Sequence, residues 1–264
     1  MEFKRISIDT SKHVFTIHGV DDQEHPVLRR EIRRAQVEPF FAKLSPTEVV
    51  LEACVGSHHL GRVLGGMGHR VRLIPPQYVK PFVKRSKNDR NDAEAISEAA
   101  SRATMRTVPV KTADEQAETI IVKHRELMVN QRTQAINALR GHAAEFGIVA
   151  AKGCANVTVL LALLSAEEAI PAIAKAMFEQ MGKHIIDLDV KIDALEKQLL
   201  EQHKANAVSK LLAAIPGVGP ITAITMALTV NSANFETGRH FAAWIGLTLR
   251  EHSTGGKHRL GSDP

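Results

Sequence analysis

The chain has 264 residues, 44% of them apolar and only 4% aromatic, which suffices for one large domain or two ordinary ones around an aliphatic core. Its formal charge is +5 and its isoelectric point about 9.3, a mildly basic balance that suits a nucleic-acid partner. Two cysteines, Cys54 and Cys154, exclude a disulfide scaffold and a cysteine-based zinc site and point to a reducing cytoplasm. No apolar run is long enough to cross a bilayer, and a strand pattern begins within the first residues, so neither a membrane segment nor a secretion signal is expected.

Residues 4–12 read as a strand, with Ile6 and Ile8 alternating with polar residues and Asp9 at its end. Val14 to His18 reads as a second strand that can form a hairpin with the first. Asp9 alone is compatible with a common turn aspartate. Arg29 to Leu44 has helical spacing, with Ile32, Val37, Phe40, Phe41 and Leu44 apolar. Thr47 to Ala53 is an apolar strand that meets Glu52, and a carboxylate placed there is costly to desolvate unless it is paired or metal-bound. A helix follows from Gly56 to about Gly68. Its adjacent His58 and His59 point apart, so they read as surface or DNA-facing residues rather than metal ligands. His69 to Ile74 is a further strand, stopped by Pro75 and Pro76.

Lys80, Lys84, Arg85 and Lys87 then give a basic face that leads into Asp89 and Asp92 at the mouth of a helix, which Asn88 or Asp89 can cap. Asp89 and Asp92 are three apart and lie on nearly the same helical face. Clustered carboxylates repel unless a proton or cation lies between them, and such hard oxygen ligands suit Mg²⁺ or Mn²⁺. Cations beside an acid cluster are also what an approaching phosphate backbone requires. The plainer alternatives are a capped, solvated helix start and a solvated basic loop. Residues 1–112 thus read as a mixed α/β layer domain with Asp9 and Glu52 at strand ends, where sites in open α/β folds are built.

From Asp114 the pattern is helical. One long helix is expected to end at Gly147, followed by helices over Val157 to Leu164 and Ala169 to Phe178. Ile185, Leu188, Ile192, Leu195 and Leu199 step by three and four, which predicts a coiled-coil-like hairpin or a dimer contact. Residues 113–204 form this helical, coiled-coil linker, and 205–264 a last, helical segment. Within it, residues 211–223 read as helix, tight glycine turn, helix. Gly217 and Gly219 can take positive φ and turn N–H groups toward phosphate, as in a helix-hairpin-helix, although a plain αα-hairpin fits the same pattern. In residues 251–261, Ser253 is a candidate nucleophile with Lys257 or Arg259 stabilising developing charge, though the composition is also that of a flexible loop.

Taken together, these segments resemble the DEDD transposases of the insertion-sequence one-ten family. The residues that carry the resemblance are 6–12 around Asp9, 51–57 around Glu52, 87–96 around Asp89 and Asp92, and then 214–223, 241–247 and 252–261. It covers nearly the whole chain in order. It implies a RuvC-like (ribonuclease H) α/β domain in which Asp9, Glu52, Asp89 and Asp92 form a metal quartet for Mg²⁺ or Mn²⁺, followed by an all-α region. It implies that Ser253, or its neighbour Thr254, attacks DNA to form a covalent phosphoserine or phosphothreonine link. The basic face at Lys84, Arg85 and Lys87, the turn at Gly217 and Gly219, and Lys257 and Arg259 are the expected DNA contacts. Element ends and target DNA are the implied partners, with a structured guide RNA in some members and a dimer or tetramer as the working form, in a bacterial cytoplasm at the nucleoid. Two departures stand out. Leu249 occupies a position where members carry proline, and the family pattern runs on past Gly261, so a C-terminally truncated chain is expected. The alternative readings are a remnant that only binds nucleic acid and a metal-dependent Holliday-junction-type nuclease that uses the carboxylates alone.

Overall fold

The structure, a computed structural model, describes residues 3–84, 89–230, 235–247, 251–254 and 257–260; for Asp89, Arg90 and the last two segments it describes the backbone course. The chain divides into two compact units, Met1–Gln116 and Ala117–Pro264.

The first unit is built on β1 (Arg5–Asp9), β2 (Val14–Val20), β3 (Pro26–Arg33), α1 (Val37–Phe41), β4 (Glu48–Glu52), α2 (Ser57–Gly66), β5 (Arg70–Ile74), α3 (Pro76–Val79) and α4 (Asp89–Ser101). Its five strands lie in the order β3-β2-β1-β4-β5. The hairpin expected between the first two strands is present, antiparallel, while β1–β4 and β4–β5 pair in parallel. Side chains alternate between the two faces of a strand. Ile6, Ile8, Phe15, Ile17, Val49 and Leu51 accordingly turn to one face, where Val37 and Phe41 of α1 and Leu64 of α2 cover them. Val50 and Ile74 turn to the other, against Ala95, Ile96, Ala99 and Ala100 of α4. The run of alanines lets α4 lie close, and Ser7 Oγ donates to the Ala93 carbonyl at 2.6 Å, which fixes the first turn of α4 over β1. Val108 bridges to Leu73, so the extended piece expected after α4 adds a short edge contact.

One expectation fails here. Residues 29–33 belong to strand β3, and helix begins only at Arg34, as a short 3-10 turn (Arg34–Gln36) that runs into α1. Most of the β3 side chains are exposed and charged, and pairing with β2 along its whole length sets its conformation. Such a polar edge strand carries no period-2 signal, so tertiary pairing overrides the local pattern.

The second unit contains most of α5 (Ala113–Ala144), then α6 (Val157–Ala166), α7 (Ala172–Ala205), α8 (Ala207–Ala213), α9 (Pro220–Thr229) and α10 (Gly238–Trp244). The two helices expected over 169–178 and 185–199 are one 34-residue helix, α7, which is ~50 Å long. Gly182 does not break it. A Cβ there would meet Leu161 at 2.6 Å, so the glycine admits α6 rather than ending α7. The apolar seam packs within the chain. Met128 of α5 packs with Leu188 and Ile192, Val122 packs with Leu199, and Ile136 and Leu139 belong to the cluster that holds Ile185 and Phe178. Arg125 Nε meets Glu196 at 2.8 Å and Arg132 Nη1 meets Asp189 at 2.6 Å, so both partners step by one heptad in opposite directions. The helices are therefore antiparallel. The all-helical expectation for the C-terminal region is corrected by a short antiparallel ribbon, β6 (Glu251–Thr254) with β7 (Lys257–Leu260), in a unit that is otherwise mostly helical. Among the described residues, no helix is long and apolar enough to cross a membrane.

Candidate active site

The site is built at the carboxyl ends of two neighbouring parallel strands. The β1–β4 register ends at Ile8 opposite Leu51, so Asp9 and Glu52 are the next residue on each strand. Asp9 is two residues beyond Ser7 and Glu52 two beyond Val50, so both lie on the face that α4 covers. Asp92 reaches the same edge from the first turn of α4, one residue before the carbonyl bonded by Ser7. Two strand ends and one pinned helix thus bring Asp9, Glu52 and Asp92, distant in sequence, to the same edge of the sheet, with Asp92 near enough to act on Glu52.

The electrostatics of the edge are uneven. Burial, and then the negative charge of Asp92, push the Glu52 carboxyl above the usual carboxylate range. Among the described residues no cation pairs with Glu52 or Asp92. At the other end of the same two strands the charges are matched. Arg5, 2% exposed, pairs with Glu24 and Glu48 and donates Nε to Ser97 Oγ at 3.3 Å, while Arg72 Nη1 meets Glu48 at 3.2 Å. Uncompensated negative charge with lone pairs to spare suits a hard divalent cation. Among the described residues, no three His, Cys, Asp or Glu stand grouped as a ligand set; the side chain of Asp89, the fourth expected acid, lies outside them.

The other expected residues are dispersed. Lys84 is next to the acid-bearing helix but holds Glu94 at 2.7 Å; Arg85 and Lys87 lie outside the described residues. Gly217 takes φ 86° in the turn between α8 and α9, and Gly219 precedes Pro220 at the start of α9 with open space around both. Ser253 stands opposite His258 in the ribbon and Thr254 opposite Lys257; Arg259 pairs in register with His252. The side chains of Ser253, Lys257 and Arg259 lie outside the described residues. His58, read as a surface or DNA-facing residue, also has a partner within the chain. Its Nδ1 accepts the backbone N–H of Lys111 at 3.1 Å, and burial together with Lys111 and Arg62 lowers its pKa, so it latches α2 to the segment before α5. Sequence reasoning also missed Ser7 and Glu94. Both act through partners that only the fold brings near.

A mixed sheet with acids at adjacent strand ends, followed by a helical unit, defines a two-unit protein with a carboxylate-lined sheet edge. A profile for DEDD transposases of the IS110 type matches residues 6–147, and one for the transposase IS116/IS110/IS902 family matches residues 209–263. The chain is 50% identical over 258 residues to transposase y4pF/y4sB of Sinorhizobium fredii, spanning 97% of this chain and 67% of that protein. It is 44% identical to a family 20 transposase of Pseudomonas aeruginosa, across 99% and 79% of the two chains. It is 38% identical to the transposase for insertion sequence element IS1111A of Coxiella burnetii, across 98% and 72%. The chain belongs to the IS110 family of transposases.

Proposed function

We propose that this protein moves an insertion sequence by metal-assisted DNA strand cleavage and rejoining through a covalent serine–DNA intermediate. The observation that carries the reading is Glu52, half-buried at a strand end beside Asp92 with its pKa raised, in a chain of transposase family. The first unit would act as a RuvC-like domain in which Asp9, Glu52, Asp89 and Asp92 hold Mg²⁺ or Mn²⁺. The ion would neutralise phosphate charge and orient the strand. Ser253, with Thr254 as the alternative, would attack phosphorus. The Oγ–P bond forms as one P–O ester bond of the strand breaks, the hydroxyl proton passes to water, and the departing sugar oxygen takes up a proton. Attack by the hydroxyl of a second strand would reverse the step and restore the serine. Lys257 and Arg259, near Ser253 in sequence, would stabilise the charge that develops.

Gly217 and Gly219, in the turn between α8 and α9, would serve as a helix-hairpin-helix that offers backbone N–H groups to phosphate. Arg85 and Lys87 would contact DNA beside the quartet. A structured guide RNA and a dimeric or tetrameric form belong to the same proposal. The test is a denaturing-gel assay for a covalent protein–DNA adduct with element-end DNA and Mg²⁺. The adduct is expected with the unaltered chain and with Thr254→Ala, and is expected to vanish with Ser253→Ala. Cleavage that persists in Ser253→Ala would point instead to carboxylate-only hydrolysis.

A further inference from the structure

The N-terminal part of α4 presents acids to two different strands of the sheet. Asp92 acts on Glu52 at the end of β4, whereas Glu94, two residues on, takes Lys84 Nζ at 2.7 Å and Arg29 Nη2 at 3.3 Å. Arg29 lies on β3 directly opposite His18 of β2. These two residues, with Thr16, Arg30 and Glu31, line a cleft of ≈ 300 Å³ along the β2–β3 edge. His18 is 3% exposed, and its buried Nδ1 has no hydrogen-bond partner among the described residues.

Two cations here share one carboxylate, and they stay open to solvent. The side chain of Lys84 is 65% exposed and that of Arg29 is 55% exposed, against 26% for Glu94. Exposed ion pairs of this kind exchange readily for other anions. A planar guanidinium beside an ammonium matches a phosphodiester oxygen pair at least as well as it matches a carboxylate.

From this arrangement we infer that the β2–β3 edge and the first turn of α4 form a backbone-phosphate site for a DNA strand. Glu94 is its internal stand-in, holding Arg29 and Lys84 in place until a phosphate displaces it. The inference rests on the reading that the protein acts on DNA. The sheet order sets β3 three strands from β4, about 14 Å at ~4.8 Å per strand. That distance corresponds to about four base steps at ~3.4 Å each, so the site grips the strand a few nucleotides from the phosphate that meets Glu52.

The test is equilibrium binding of the full chain to a random-sequence DNA duplex in EDTA, by fluorescence anisotropy over a range of salt. Arg29→Ala is expected to weaken binding roughly threefold per lost phosphate contact at moderate salt, and to make the slope of log K against log salt shallower by about 1. Arg29→Lys keeps most of the slope. Glu94→Gln is expected to tighten binding and to steepen the slope. If the unaltered chain binds and both Arg29→Ala and Glu94→Gln leave affinity and slope unchanged, the site is refuted while the DNA reading stands. If the unaltered chain binds no DNA, both fall. If the variants alter binding of a single-stranded RNA of equal length but not of the DNA duplex, the assignment to DNA is overturned.

Discussion

The α5–α7 pair and the α4-covered edge of the sheet use charge in opposite ways. Along the helix pair two arginines find acids across the seam: Arg125 has Glu196 and Arg132 has Asp189, one heptad apart on each helix. Asp189 holds the Arg132 guanidinium in its charged form, raising its pKa further. At the sheet edge Glu52 and Asp92 have each other instead of a cation, and burial first, then the charge of Asp92, makes Glu52 hold its proton more tightly. The arginines of the helix pair are matched within the chain, whereas acids without a cation at a sheet edge are of the kind that binding sites often hold.

The largest effect should come from the unmatched side. Asp9→Ala or Glu52→Ala should lower DNA strand cleavage on the order of 10²–10³-fold or more, read by single-turnover kinetics, with the thermal transition of the chain retained. On the matched side, Gly182→Val should overpack the α6–α7 contact, because the added Cβ falls 2.6 Å from Leu161. The expected cost is about 1–3 kcal/mol in a urea melt, and an unchanged midpoint would mean that α6 slides away freely. Arg132→Ala should cost less, about 0.2–1 kcal/mol, since its partner Asp189 is 43% exposed. A double-mutant cycle with Asp189→Ala isolates the coupling.

The smallest effect is on pH dependence. Burial first, and then Arg29, Arg5 and Lys84 against the opposing pull of Glu94, depress His18 below its ordinary value near 6.5. The unfolded chain therefore binds the proton more readily, and stability is present above pH ~6.5 and lost as pH falls below it. Replacing His18 with Gln should flatten the stability–pH curve in that window. An identical slope in the variant would place the acid sensitivity elsewhere.

The strands that carry Asp9 and Glu52 were legible because alternation in Ile6 and Ile8, and an apolar run broken by an acid, are strong local signals. The long helix α5 was legible for the same reason. Strand β3 was not, since its exposed charged residues at 29–33 imitate the polar face of a helix. That misreading also hid the Arg29–Glu94 pair, because its two residues are 65 positions apart and meet only when β3 joins the sheet. The continuity of α7 was hidden by Pro171 and Gly182. The proline stands just ahead of the first turn and the glycine serves a neighbouring helix. The sequence suggested the acids as a set, but the placement of Glu52 beside Asp92 required the Ser7–Ala93 contact that seats α4.

If the sheet-edge acids repel one another in the absence of a cation, thermal unfolding of Glu52→Gln beside the unaltered chain, with and without Mg²⁺, shows it. In EDTA at neutral pH the variant is expected to melt higher than the unaltered chain, by roughly 2–4 °C for each kcal/mol of repulsion relieved. Mg²⁺ is expected to raise the melting temperature of the unaltered chain and to raise that of the variant less. A variant that melts lower in EDTA and responds to Mg²⁺ as the unaltered chain does would contradict it.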